Sequence, residues 1–309
     1  MEKVVVTGGA GFIGSHLAEE LAKRGYQVII LDDLSTGRIE NIADLLKKGG
    51  VEFIQGSITD LALLRELFQG VKYVFHQAAL SSVPRSIEDP VATNEVNIKG
   101  TLNVLMAAKE NKVEKVVYAA SSSVYGDALA LPQREDMPLN PLSPYALTKL
   151  AGEYYCEIFR QIYGLPTVCL RYFNVYGPRQ DPHSQYAAVV PAFAERISRN
   201  LPPVIFGDGE QSRDFTFIQD VVKANILAAM NDASGAYNIG SGQSVTINQL
   251  AKAILDLMHK DLETIHEEPR SGDPRRTVAD VSKARGFGYE PEWTFEDGLK
   301  ETIKGLNEG

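Results

Sequence analysis

Cationic charge, thiols and long apolar runs are what this chain has least of. Its 31 Lys and Arg face 40 Asp and Glu, which leaves a formal net charge of −9. That balance argues against a general nucleic-acid surface or an anionic membrane surface, so an anionic ligand needs arginines placed locally. No apolar stretch reaches the roughly 18 residues that cross a bilayer. The first apolar strand starts almost at once, which leaves no room for a signal peptide. Only two cysteines occur, Cys156 and Cys169, without metal or redox spacing, and the five histidines show no ligand spacing either. No metal site is expected, and no repeat or low-complexity linker is visible. The expectation is a soluble, reduced, cytoplasmic protein.

What remains is ordinary globular composition, 44% hydrophobic and 23% charged, over 309 residues. That length has room for about two domains and an ample core. The most informative segment follows the apolar run Val4-Val5-Val6: Thr7-Gly8-Gly9-Ala10-Gly11-Phe12-Ile13-Gly14. Read from Gly9 it fits G-x-G-x-x-G, and read from Gly8 it fits G-x-x-G-x-x-G. Glycine permits the tight turn, the close approach of backbone to a pyrophosphate, and close packing of the next helix on the strand. That helix carries Ile13, Leu17 and Leu21 on one side, and its N-terminus offers unpaired N–H groups to phosphates. The second strand, Val28 to Leu31, ends in Asp32, where a carboxylate accepts ribose hydroxyls. Asp32 and Asp33 would repel a 2′-phosphate, and Arg38 is the only nearby cation, so NAD is preferred over NADP.

The first half alternates strand and helix signals. Apolar runs recur at Val51 to Ile54, Tyr73 to Phe75, Val116 to Ala120 and Thr167 to Leu170. Helical stretches lie at Leu61 to Phe68, about Pro90 to Lys112, and Tyr145 to Tyr163. This pattern predicts an α/β fold, a Rossmann-type doubly wound parallel sheet, with ligands beyond the carboxyl ends of its strands. After Leu170, prolines and glycines break the chain into shorter pieces. Helices are expected at Val189 to Arg199, Ile218 to Met230 and Ile247 to Met258, with short strands at Arg213 to Phe217 and Ala236 to Ile239. The expected division is a NAD-binding domain over 1–172, also receiving 214–240, and a smaller mixed α/β substrate domain over 173–309.

The residues after each strand carry the chemistry. His76-Gln77-Ala78-Ala79 follows the fourth strand, and its small side chains would let a cofactor lie flat. Ser121-Ser122-Ser123-Val124-Tyr125-Gly126 follows the fifth; three serines there also suit a turn or cap. Tyr145 and Lys149 sit at i and i+4, on one helix face. An ammonium and an oxidised nicotinamide both favour the phenolate. Lowering a tyrosine pKa from near 10 to about 7 represents roughly 4 kcal/mol of differential stabilisation. Alone, Tyr-x-x-x-Lys is a common coincidence. Joined to the glycine turn, Asp32 and the serine cluster, it marks a catalytic centre.

Together these residues resemble the extended short-chain dehydrogenase/reductase family, over essentially the whole chain. Within it the chain is most similar to the nucleotide-sugar 4-epimerases of the UDP-glucose/UDP-N-acetylglucosamine type. The matching blocks are Gly8 to Gly14, Ser121 to Gly126, Tyr145 to Lys149, Arg171 to Pro178, Ser212 to Phe215 and Arg270 to Asp273. The resemblance implies NAD contacts from Gly8, Gly11, Phe12, Ile13 and Gly14, then from Asp32, Ser35, Thr36 and Gly37. Ser57, Ile58, Gln77, Ala78, Ala79, Asn97 and Tyr172 complete that set with Tyr145 and Lys149. It implies Tyr145 as the base, Lys149 as its electrostatic partner, and Ser121, aided by Ser122, at the reacting oxygen.

For a UDP-sugar, the resemblance implies diphosphate and uridine contacts from Arg213, Arg270 and Asp273. Asn174 and Ser82 would meet the substrate, and Ala188, Val189, Val204, Phe206 and Gln211 would surround the nucleotide. Thr277 stands where a wall residue governs N-acetyl tolerance. It is smaller than the tyrosine of enzymes restricted to plain hexoses, so both sugar types are expected to enter. Arg85 and Arg179 are further candidates. Ser122 and Ser123 replace the Asp-Glu that dehydratases of the superfamily carry, because loss of water needs an added acid and base. The Glu of the related decarboxylases is absent too. A UDP-glucuronate 4-epimerase or another nucleotide-sugar enzyme remains the rival, and a non-catalytic nucleotide sensor is disfavoured by the intact Ser-Tyr-Lys set. The resemblance also implies a homodimer through the helices near 90–112 and 145–163.

Overall fold

The computed structural model describes residues 1–128, 130–181, 188–269 and 275–307. Seven strands form its central sheet: β1 (Lys3–Thr7), β2 (Gln27–Asp32), β3 (Val51–Gln55), β4 (Val71–His76), β5 (Lys115–Ser121), β6 (Thr167–Tyr172) and β7 (Gly235–Ile239). Their spatial order is β7-β6-β5-β4-β1-β2-β3, and every pairing is parallel. This is the expected Rossmann-type sheet. The order reverses between β1 and β4, where a crevice opens beyond the strand ends.

Alternation along each strand explains the two layers of core. Val4 and Val6 pack into one cluster and Val5 into the other; Val117 and Ala119 likewise oppose Val116, Tyr118 and Ala120. Because helices cover both faces, the central strands read as continuous apolar runs. The helix Phe12–Lys23 buries Leu17 and Leu21, while Ile13 reaches the crevice.

Several expected elements are refined. The helix expected over 90–112 is Pro90–Asn94, a wider π-type turn at Glu95–Lys99, and Gly100–Glu110. The expected strand over 213–217 divides: Ser212–Arg213 pairs antiparallel with Val245–Thr246, and Thr216–Phe217 pairs with Val175–Tyr176. Asp214 lies between them, fully buried. Its carboxylate accepts from the backbone of Ser241 (2.7 Å), Gly242 (3.0 Å) and Ala279 (3.0 Å), drawing distant loops together. Sequence periodicity missed the helix Phe295–Asn307. No helix among the described residues is long and apolar enough to cross a membrane.

Candidate active site

The crevice at the β1/β4 reversal opens into one cleft of about 1030 Å³. Gly8 takes a left-handed φ of +69°, and a Cβ there would lie 2.7 Å from the Ala78 backbone. A Cβ on Gly14 would lie 2.1 Å from the Gly8 carbonyl oxygen. Gly11 begins the helix Phe12–Lys23 without a side-chain cap, and its first turn holds no acid. Its leading N–H groups thus face the cleft wall formed by Gly8, Gly11 and Gly14. Asp32, 7% exposed, accepts from Ala10 N (3.0 Å) and Leu34 N (2.9 Å) and still lines the cleft. Arg38 is held by Glu40 and Asp181 at 3.9 and 3.8 Å.

This cradle suits a dinucleotide: backbone donors for a pyrophosphate, then a carboxylate for a ribose. Gly14→Ala is expected to weaken NAD binding roughly ten- to hundredfold, since overpacking costs about 1–3 kcal/mol. Calorimetric titration checks it; an affinity within twofold of the parent would show that the turn tolerates the methyl group.

Ser121, Tyr145 and Lys149 line the same cleft. Ser143 caps the helix Pro144–Tyr163 through Ala146 N at 3.1 Å, and Pro144 occupies its first turn. Tyr145 is fixed at its backbone: Ser86 Oγ accepts from its N–H (3.1 Å), and its carbonyl accepts from Thr148 Oγ1 (2.8 Å). Lys149 Nζ donates to Ala119 O at 2.8 Å and lies 6.0 Å from the Tyr145 ring centroid. Ser121 Oγ accepts from both the N–H (3.2 Å) and the Oγ (2.9 Å) of Ser123. Its own proton is left for the Tyr145 oxygen, a bond that favours the phenolate. Burial acts the other way and holds the Tyr145 phenol above its ordinary value. Burial also brings Lys149 down to about 8. Burial thus pushes both groups toward their neutral forms, and the Ser121 hydrogen bond opposes it at Tyr145.

Asn174, Ala188, Arg213 and Thr277 line the same cleft, with Ser82 and Ser122. Arg213 is 7% exposed and donates to Ser212 O at 2.9 Å. Thr277 Oγ1 is buried without a hydrogen-bond partner among the described residues. Val189, Val204, Phe206 and Gln211 are not on the wall formed by the described residues; Gln211 Nε2 donates to Phe206 O at 2.7 Å. Arg270 and Asp273 lie outside the described residues.

Residues 4–240 match the model of the NAD dependent epimerase/dehydratase family. The chain belongs to this family. A UDP-glucose 4-epimerase of Mycolicibacterium smegmatis is 40% identical over 306 residues, 98% of this chain and 97% of that protein. Among solved structures, the UDP-N-acetylglucosamine 4-epimerase of Methanobrevibacter ruminantium, in complex with UDP-N-acetylmuramic acid, has a TM-score of 0.96 and 42% identity, covering 99% and 98% of the two chains. The UDP-glucose 4-epimerase of Thermus thermophilus, a complex with NAD, gives 0.91 and 39%, covering 99% of each.

NAD is the cofactor of this family, and the cradle fits it. Gly8, Gly11, Phe12, Ile13, Gly14, Asp32, Ser35, Thr36, Ser57, Ile58, Gln77, Ala78, Ala79 and Tyr172 share the wall with Tyr145 and Lys149. Gly37 and Asn97 stand behind that wall rather than on it. A Cβ on Gly37 would lie 2.6 Å from Asp32 Oδ1, so Gly37 makes room for the carboxylate from behind. Asn97 is 1% exposed, and its amide hydrogens go to Leu80 O and Thr148 Oγ1, both at 3.0 Å. It braces the wall and the Tyr145 helix. Arg179 likewise faces away, pairing with Glu19.

Sequence reasoning missed the supports. Ser123 backs Ser121, and Gln180 and Asp181 join the wall. Asn225, on the helix Ile218–Met230, donates to Tyr172 OH (2.8 Å) and accepts from Gln77 Nε2 (3.0 Å). Spacing along the chain carries no signal for partners this far apart.

Two buried histidines give the enzyme an acid limit. His76 accepts at Nδ1 from Thr7 Oγ1 (2.8 Å) and donates from Nε2 to Thr101 Oγ1 (2.9 Å), because the Thr101 hydrogen is committed to Asn97 O. Burial, then the Lys149 charge, pushes His76 down to about 3. Burial, then Arg179, pushes His16 down to about 4. Unfolded, both titrate near 6.5, so the unfolded chain holds more protons between about pH 6.5 and 4. Stability is therefore full above that window and falls as pH is lowered through it, by on the order of 3 kcal/mol or more per histidine. Urea unfolding at stepped pH reads the slope, and His16→Gln should flatten it. A profile already flat in the parent would reject this assignment.

Proposed function

We propose that this chain is a UDP-hexose 4-epimerase that keeps its NAD through each turnover. The observation that carries the reading is the meeting of Ser121, Tyr145 and Lys149 with the Asp32 cradle and Arg213 in one cleft. NAD, when bound, supplies the acceptor and then the donor of the C4 hydride. Tyr145 removes the proton from the sugar 4-hydroxyl, Ser121 stabilises the oxygen through its hydrogen bond, and Lys149 adds positive charge beside it. Turning of the 4-keto sugar before hydride return inverts C4. Ser122 and Ser123 offer no acid pair for dehydration.

The pocket is read as open to plain and N-acetylated hexoses because Thr277 is small and on the wall. NMR of products from UDP-galactose and UDP-N-acetylgalactosamine tests both claims. Thr277→Tyr is expected to lower kcat/KM for the acetylated sugar roughly tenfold or more relative to the plain one, as a filled pocket costs about 1–3 kcal/mol. No turnover of the acetylated sugar by the parent would sink the second claim, and no inversion of any UDP-hexose would sink the first. Release of bound NAD on denaturation separates an epimerase from a reductase that exchanges its cofactor.

A homodimer and a cytoplasmic setting belong to the same reading. Leu147, Tyr154, Ile158 and Ile162 form an exposed apolar stripe on the helix Pro144–Tyr163, as a helix–helix interface requires. Light scattering reads the mass directly.

A further inference from the structure

Ser86 is the one buried residue of the short helix Val83–Glu88. Val83, Arg85, Ile87 and Glu88 of that helix line the cleft, with Ser82 before them. Ser82 Oγ caps the helix by accepting from Arg85 N–H at 3.2 Å. Ser86 itself is fully buried and lies behind the wall. Its hydroxyl is committed on both sides. The hydrogen goes to Val83 O at 2.6 Å, and the oxygen accepts from Tyr145 N–H at 3.1 Å.

The start of the helix Pro144–Tyr163 shows why the second bond is needed. The first N–H groups of a helix have no partner within it. Pro144 has no N–H to satisfy. Ser143 accepts from Ala146 N–H through its Oγ (3.1 Å) and from Leu147 N–H through its carbonyl (3.0 Å). Tyr145 N–H is the donor left over, and it is satisfied from another element. The backbone of the residue read as the base is thus held by the helix that lines the cleft.

That hold bears on the chemistry because the Cα–Cβ direction at residue 145 sets where the phenol stands. The phenol is bonded to Ser121, and Lys149 Nζ lies 6.0 Å from the ring centroid. Misplacing a reacting group by about 1 Å can cost on the order of 10²-fold in rate. Without the Ser86 hydroxyl, a buried N–H loses its acceptor, and the first turn finds another only by moving.

We propose that Ser86 is a positioning residue for Tyr145, holding the phenol in register with Ser121 and tying it to the cleft wall. This rests on the epimerase reading above. Ser86 acts through the Tyr145 backbone and touches neither substrate nor cofactor.

The test uses the NAD-loaded protein and a UDP-hexose that the parent inverts. Ser86→Ala is expected to lower kcat roughly ten- to hundredfold while KM and NAD affinity stay within about threefold of the parent, because the base is displaced and the binding wall is not. Ser86→Thr and Ser86→Val add similar bulk at the same buried position, but only Thr keeps a hydroxyl. Thr should therefore exceed Val in kcat by roughly tenfold or more. This pair decides the matter if the alanine variant does not fold. Equal kcat in Thr and Val, or a parent-like kcat in Ser86→Ala, overturns the proposal and leaves the epimerase reading intact. A loss that falls on KM or NAD affinity and spares kcat also overturns it, since Ser86 would then shape the wall and not the base. If the parent inverts no UDP-hexose, the epimerase reading itself fails and this proposal falls with it.

Discussion

Tyr145→Phe is expected to lower kcat roughly 10²- to 10⁴-fold, the range for loss of a positioned general base, while the protein still binds NAD. The substitution removes one oxygen and little else. The ring keeps its place because the backbone on either side is fixed by Ser86 and Thr148. What disappears is the partner of Ser121 and, on the epimerase reading, the acceptor for the sugar proton. Burial holds the phenol above its ordinary value in the protein alone. Lys149, and oxidised NAD when bound, would supply positive charge that favours the phenolate against burial. Product NMR and a cofactor titration on the same preparation read both halves of the expectation. A variant that epimerises within tenfold of the parent would remove Tyr145 from the chemistry.

The largest expected loss of stability comes from Glu153→Gln. Glu153 and Arg171 are 7% and 4% exposed at their side chains. Arg171 binds Glu153 through Nε to Oε1 (2.9 Å) and Nη2 to Oε2 (2.7 Å), and its Nη1 donates to Tyr125 OH at 2.8 Å. Tyr125 in turn donates to Asn238 Oδ1 at 2.7 Å. This network ties the catalytic helix to β6, β7 and the turn after β5. Removing one charge of a buried pair leaves the other uncompensated, at a cost of about 3–5 kcal/mol. Chemical denaturation should show it. The double replacement Glu153→Leu with Arg171→Met should recover part of the loss, because two apolar groups need no partner. A single variant within about 1 kcal/mol of the parent would mean that packing alone holds the helix.

Much of the site was legible before the fold because its residues sit at punctuation marks of the chain. Gly8 to Gly14, Asp32, Gln77 to Ala79 and Ser121 all end or follow strands, where a doubly wound sheet exposes them to ligands. Tyr145 and Lys149 share a helix face by spacing alone. Val189, Val204, Phe206 and Gln211 were harder: they lie on short irregular elements or at their ends, where neither a period of 2 nor one of 3.6 tells which side faces a ligand. Asn97 is a related case. A buried polar residue near a site reads the same whether it touches a ligand or braces the wall that does.

By itself, the sequence determined the alternation of strands and helices, the glycine turn, the acidic end of β2 and the Ser-Tyr-Lys set, because each is encoded in local spacing. Only the tertiary structure decided the strand order, the pairing of Arg171 with Glu153, the gathering of loops by Asp214, and the bond from Tyr145 N–H to Ser86. Those depend on contacts between residues far apart in the chain, and burial then sets what each charge costs and which partner it needs.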